Sequence, residues 1–170
     1  MKNPIQKKIK TLEKEIDDPK KGLPEDLFLF LSRISPLINV DLMIKNQKQE
    51  TLLTWRGKGE KYLEGWHIPG GIIRFRDSIK ARLNYVAKKE LNVKIKNNFK
   101  LINIFEIKLN QKNRSHFISL LYCCELKTKL NDKLKYYDKK PILGQWKWFK
   151  KSPKKLIYPH NVYKKYINKN

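Results

Sequence analysis

The stretch Gly65-Trp66-His67-Ile68-Pro69-Gly70-Gly71 limits what this chain can fold into more than any other, because a helical pattern begins almost immediately after it. Two glycines after a proline let the backbone turn sharply and pass close to another group that a side chain would block. The next segment predicts a helix over 77–91, with Ile79, Leu83, Val86, Ala87 and Leu91 at helical spacing. Asp77 stands ahead of the first apolar residue, at an N-cap or first-turn position. At about 100° per residue, Glu90 falls in the same sector as Ile79, Leu83 and Val86. A carboxylate on an inward stripe requires a partner, a proton or a metal, since burying it alone is costly.

A Trp-x-x-Pro-Gly-Gly loop, a short strand and a helix carrying an inward acid resemble the signature of the Nudix hydrolases. That family's box reads Gly, five residues, Glu, seven residues, Arg-Glu-apolar-any-Glu-Glu, any, Gly, apolar. Counted from Gly71, the box is degenerate here: Asp77 takes the first Glu position, Tyr85 the Arg and Val86 the next Glu. Ala87 fits the apolar position, Lys89 replaces one Glu, Glu90 keeps the last, and Asn92-Val93 closes the frame. The likeness is greatest to the GDP-mannose mannosyl hydrolase branch. It runs from Leu23 through Ser35–Leu42, Leu52–Arg56, the glycine loop and helix, His116-Phe117 and Trp146–Phe149 to Asn161-Val162.

The resemblance implies an α/β fold, a Nudix-type α/β/α sandwich with a mixed β-sheet, and a set of site residues. Glu90 and the backbone carbonyl of Gly70 stand where that family binds Mg²⁺, while Asp41, Arg56, Gly70 and Gly71 stand at substrate-binding positions. Mg²⁺ takes oxygen ligands and commonly uses one or two carboxylates plus substrate phosphate. The other reading of Glu90 is an ion pair with Lys89 or a neighbouring lysine. A guanidinium at Arg56 suits the phosphates of a leaving nucleoside diphosphate. Ile72 replaces a second phosphate-binding Arg, with Arg74 and Arg76 just beyond. The family's metal-binding Gln and its general-base His correspond to Ile142 and Leu143, neither of which can bind a metal or take a proton. Gln145 is out of register and Asp138 reaches in only if the loop folds differently, so no catalytic residue is assigned.

Two functions follow. The first is a Mg²⁺-assisted hydrolase that releases nucleoside diphosphate from a nucleotide sugar of the GDP-mannose type, with reduced activity. The second is a catalytically inactive binding module for a nucleotide sugar or RNA. Charge bears on both. Thirty-nine Lys and Arg against sixteen Asp and Glu give a net charge of +23, a field that attracts anions. Only six of the 39 are arginines, leaving 39 − 6 = 33 lysines. Base and phosphate recognition favour the arginine fork, so contact with nucleic acid is expected to be non-specific and salt-driven.

At 170 residues and 40% hydrophobic composition the chain has enough apolar residues for one core. The division expected is an N-terminal helical extension, 1–22, with Ile5, Ile9, Leu12 and Ile16 at helical spacing, and a Nudix-like domain, 23–170. The extension either packs on the domain or forms a homodimer contact. A second helix is expected near Pro24. Strands are expected at 37–44, 51–55, 72–75, 101–109, 116–126 and 145–149, with a last helix at 161–167. The longest apolar run, Leu27–Leu31, is far short of a membrane span, and the lysine-rich start has no signal-peptide core, so the expected location is cytoplasmic. Adjacent Cys123 and Cys124 would point to opposite faces of a strand and make a poor disulfide. His67 reads either as a proton donor at a pocket rim or as a partly buried structural histidine, and the four tryptophans read as core.

Overall fold

Strands rich in Ile, Leu, Val and aromatic residues build the middle of the molecule, and α-helices near the centre and the end of the chain pack against them through Leu83, Val86, Leu91 and Ile167. The computed structural model describes residues 3–57 and 63–168. In chain order its elements are α1 (Pro4–Lys14), α2 (Glu25–Ile34), β1 (Leu37–Ile44), β2 (Thr51–Arg56), β3 (Gly65–His67), β4 (Gly70–Ile72) and α3 (Ile79–Leu91). These are followed by β5 (Lys100–Lys108), β6 (His116–Cys124), β7 (Trp146–Phe149) and α4 (Lys164–Ile167), with 3-10 turns at Asp132–Leu134 and Tyr158–Tyr163.

The expected α/β architecture with a mixed sheet is present. A four-stranded sheet runs β4-β1-β6-β5, with β1 parallel to β6 and the other pairs antiparallel. The remaining strands form a second, antiparallel sheet in the order β3-β2-β7, a division the sequence did not reveal. One core cluster joins α3, through Leu83, Val86, Ala87 and Leu91, to Val40, Leu42, Ile44 and Tyr122 of the mixed sheet. The other fills the space between the sheets with Met43, Leu121, Leu53, Trp55, Trp66 and Ile68, closed by Tyr163 and Ile167. Trp55, Trp66 and Trp146 are buried, as core tryptophans should be, while Trp148 is only partly buried and packs against the edge of the core. Cys124 is buried and Cys123 exposed, and neither is in a disulfide. Burial, and then the neighbouring Cys123, push the Cys124 thiol up to about 12.

The local corrections have physical causes. The strand expected at 72–75 lies instead at Gly70–Ile72, pairing Gly70 with Asp41, Gly71 with Val40 and Ile72 with Asn39. Beyond it Arg76 adopts a left-handed φ of 59°, and the Asp77 carboxylate accepts from the Arg74 amide at 3.0 Å, which turns the chain out of the sheet. Asp77 is therefore not the cap of α3. Ser78 is, its Oγ accepting from the Ala81 amide at 3.1 Å. Asp77 also accepts from Arg82 Nε at 2.8 Å. Burial opposes its ionisation, but the Arg82 and Arg74 hydrogen bonds and charges hold its carboxyl below the ordinary value. Pro24 is the N-cap of α2 rather than its first helical residue. The closing helix begins as a 3-10 turn, Tyr158–Tyr163, with a proline in its first turn, and becomes α-helical only at Lys164.

The two loop glycines are required by close approach. A Cβ on Gly70 would lie 2.0 Å from Asp41 Oδ1, and one on Gly71 would lie 2.9 Å from Val86 Cγ2. Val86 thus fills the groove over Gly71. Gly71→Ala should cost about 1–3 kcal/mol by overpacking. Combined with Val86→Ala it should cost less than the sum of the single changes, as urea unfolding of the four proteins in a double-mutant cycle would show. Strict additivity would mean that this contact does not seat the helix on β4.

Candidate functional site

Glu90 is half-buried on α3 and faces the start of β4. The Gly70 N–H donates to its Oε1 at 3.1 Å, and His67 Nε2 lies 3.0 Å from its Oε2. Thr54 Oγ1 donates to Oε2 at 3.4 Å and lies 3.3 Å from His67 Nε2. Since an ionised carboxylate only accepts, His67 presents its Nε2–H to Glu90. The other nitrogen, Nδ1, is buried with no hydrogen-bond partner among the described residues. Lys89 does not serve as the partner of Glu90; its ammonium lies over the Tyr85 ring, 5.8 Å from the centroid. Of the two readings of His67, the buried one describes its position.

Asp41 lies directly beneath. It is buried on β1 opposite Gly70, where the missing Cβ leaves room for its carboxylate. Its Oδ2 accepts from Asn39 Nδ2 at 2.7 Å, from Tyr163 OH at 2.6 Å and from Ser119 Oγ. Burial raises its pKa to about 6; the hydrogen bonds from Ser119, Tyr163 and Asn39 lower it, and the charge of Glu90 adds to the rise. Burial, and the adjacent Asp41, likewise hold the Tyr163 phenol far above its ordinary value. Ser119, Tyr163 and Asn39 carried no motif in the sequence, because they meet Asp41 only when β6 and the 3-10 turn are in place.

His160 completes the inner wall. Its Nδ1 accepts from the Ile68 N–H at 3.0 Å, which makes it the neutral Nε2–H tautomer. Burial, with the charges of His67 and Arg56 nearby, lowers its pKa well below the ordinary value. Arg56 ends β2, two residues from Thr54 and so on the same strand face, opposite Gly65 of β3. The fold therefore gathers Asp41, Gly70, Gly71 and Glu90 around one point. It places Arg56 farther along the same face, beside His160.

No protein-family model matches the sequence, and no curated protein sequence matches it. Solved structures do match. A protein described as a possible asymmetric diadenosine tetraphosphate hydrolase from Jonesia denitrificans superposes with a TM-score of 0.58 at 15% identity, over 78% of this chain and 92% of that one. A MutT Nudix hydrolase from Burkholderia pseudomallei gives 0.55 at 15%, over 75% and 95%. An ADP-ribose pyrophosphatase from Streptococcus suis gives 0.50 at 15%, over 78% and 87%. The chain has the Nudix fold.

The other residues singled out by the sequence resemblance have visible structural roles. Val86 is core, Tyr85 is exposed under the Arg74, Arg82 and Lys89 cations, and Asn92 caps α3 in the left-handed conformation at φ 54°. Ile142 and Leu143 are exposed, with Leu143 packed close to Gly57. The Gln145 side chain turns back to accept from the Ile142 N–H at 3.0 Å, and so is directed within its own loop.

The donor set around Glu90 does not fit Mg²⁺ as arranged. Both carboxylate oxygens face N–H or O–H donors, and the nearest additional side-chain donors are an imidazole and a hydroxyl, whereas Mg²⁺ takes a near-octahedral oxygen set. Among the described residues no three His, Cys, Asp or Glu side chains converge to hold a metal.

Asp41 gives this cluster a pH signature. Its carboxyl has a higher pKa folded than unfolded, so the folded protein binds the extra proton between the two values. The contribution to stability is full below about pH 4 and falls as pH rises to about 6, by ~3 kcal/mol. In Asp41→Asn that fall should be absent, and the stability difference from wild type should change across pH 4–6 and be flat above it. Parallel denaturant titrations at several pH values would check this; a constant difference would place the Asp41 pKa at its ordinary value.

Proposed function

We propose that this protein uses the Nudix fold to bind a nucleoside diphosphate-linked ligand, a nucleotide sugar of the GDP-mannose type, without metal-dependent hydrolysis. The observation that carries the proposal is the set of partners on Glu90. The last acid of the box is engaged by the Gly70 amide, His67 and Thr54, and the positions of the other box acids hold Val86 and Lys89. Exposed Ile142 and Leu143 at the family's ligand and base positions support the same reading. Binding is supported by Arg56 on the Thr54 face of β2 and by the strongly positive chain. The diadenosine tetraphosphate and ADP-ribose named for two of the similar structures are phosphate-linked nucleotides of that general class. No helix among the described residues is long and apolar enough to cross a membrane.

A second reading, hydrolysis of the same ligand class, is favoured by one observation. The Glu90 side chain remains 22% exposed beside Gly70, so the family's last acid still meets solvent. Calorimetry and product analysis with GDP, GDP-mannose and other nucleotide sugars, with and without Mg²⁺, separate the two. The expected result is binding without product, unchanged by Mg²⁺. Arg56→Ala should weaken the interaction by about 1.5–3 kcal/mol, the scale of a charged hydrogen bond. Equal affinity in wild type and Arg56→Ala would remove Arg56 from the site. Mg²⁺-dependent product formation that Glu90→Gln abolishes would establish the hydrolase instead. RNA that binds tightly at high salt and resists displacement by GDP would replace the nucleotide sugar as ligand.

A further inference from the structure

α1 is an amphipathic helix whose apolar stripe is left exposed among the described residues. Ile5, Ile9 and Leu12 share one face at helical spacing, and they are 63%, 48% and 45% exposed. No residue of the helix is buried. It is nevertheless well built: the Asn3 side chain accepts from the Ile5 N–H at 2.9 Å, and Pro4 fills the first turn. An aliphatic stripe of this kind on a capped helix is a packing surface without its counterpart.

Charge identifies the counterpart. In a chain of net charge +23, residues 3–18 carry four lysines (Lys7, Lys8, Lys10, Lys14) and four acids (Glu13, Glu15, Asp17, Asp18), so their net charge is zero. Of these acids only Glu13 lies on α1 and the other three follow its end, so the helix together with the turn after it is a surface on which two copies can meet with less repulsion than the rest of the molecule imposes. The charges are also segregated. Lys7, Lys8 and Lys10 lie on the first half of the segment, and all four acids lie on the second. Two copies laid parallel would set lysine beside lysine and acid beside acid. Laid antiparallel, Lys8 of each, which borders the stripe, comes to the end of the other that carries Glu13 and Glu15, while the Ile5, Ile9 and Leu12 stripes meet between them. Such an arrangement is self-complementary about a two-fold axis, as a closed dimer requires.

We propose that α1 pairs antiparallel with α1 of a second copy of this chain, forming a two-fold dimer held by the aliphatic stripe and by reciprocal Lys–Glu contacts. With 11 residues, α1 is about 16 Å long. The contact is therefore smaller than a standard interface, and the dissociation constant is expected on the order of 10–100 µM. The pairing does not depend on the proposed ligand.

Sedimentation equilibrium of the full chain tests it. The average mass should rise from one chain toward two across that concentration range. Ile9→Lys should weaken association by at least about tenfold while leaving the thermal midpoint unchanged. Two charge-reversed proteins supply the decisive arm. K8E alone and E13K/E15K alone should each stay monomeric, because each places like charges across the axis. Mixed in equal amounts, they should form a dimer containing one copy of each. A wild-type mass of one chain at every concentration would overturn the proposal, and so would a dimer that Ile9→Lys leaves intact. Failure of the mixture to associate would overturn the antiparallel pairing.

Discussion

Glu90 reaches from α3 to the chain where it crosses from one sheet to the other. Its carboxylate accepts the Gly70 amide at the start of β4, in the mixed sheet, and contacts His67 and Thr54 on β3 and β2 of the second sheet. A charged acceptor in this partly buried position is worth roughly 1.5–3 kcal/mol per hydrogen bond, and removing it would leave buried donors unsatisfied. The crossing itself is only Ile68-Pro69. It is fixed on its other side by the Leu42 N–H donating to Pro69 O at 2.8 Å and by the Ile68 N–H donating to His160. The helix, the glycine loop and both sheets therefore share one polar joint.

The second layer of that joint is Asp41. A buried carboxylate is tolerable only with several donors, and Asn39, Ser119 and Tyr163 supply them from β1, β6 and the last 3-10 turn. Gly70 separates the two acids and allows both to come close: its missing Cβ admits Asp41 on one side while its amide serves Glu90 on the other. Two acids at one glycine would suit a cation if they were open to it. Here protein donors reach both oxygens of Glu90 and Oδ2 of Asp41, so the same residues tie the helix, the glycine loop and the strands together. The Arg56 face of β2 is where the proposed ligand phosphates would lie.

Much of this architecture was legible in the sequence. The Pro-Gly-Gly turn, the apolar spacing after it and the alternating runs around β1, β2, β5 and β6 each reflect local chemistry, and each produced the expected element within a few residues. The exceptions are instructive. β4 was displaced because strand pairing begins at the glycines themselves, and α3 was capped by Ser78 because Asp77 is engaged by Arg82 and Arg74. The division into two sheets depends on register between distant strands, which no local pattern encodes. The same holds for the site. Asp41, Gly70 and Glu90 were named from a resemblance, but the partner of Glu90 was expected to be a metal or a lysine. His67 takes that place because β3 lies antiparallel to β2, with His67 opposite Thr54, and both side chains turn toward α3.

Both oxygens of Glu90 are met by protein donors, the Gly70 amide on one and His67 and Thr54 on the other. Titration with Mn²⁺, a paramagnetic ion that also prefers oxygen ligands, followed by amide NMR, tests this arrangement most directly. The Gly70, Gly71 and Glu90 signals should broaden no more than those of other exposed segments at the same ion concentration. Selective loss of the Gly70 and Glu90 signals at low Mn²⁺, reversed by excess Mg²⁺, would contradict that arrangement.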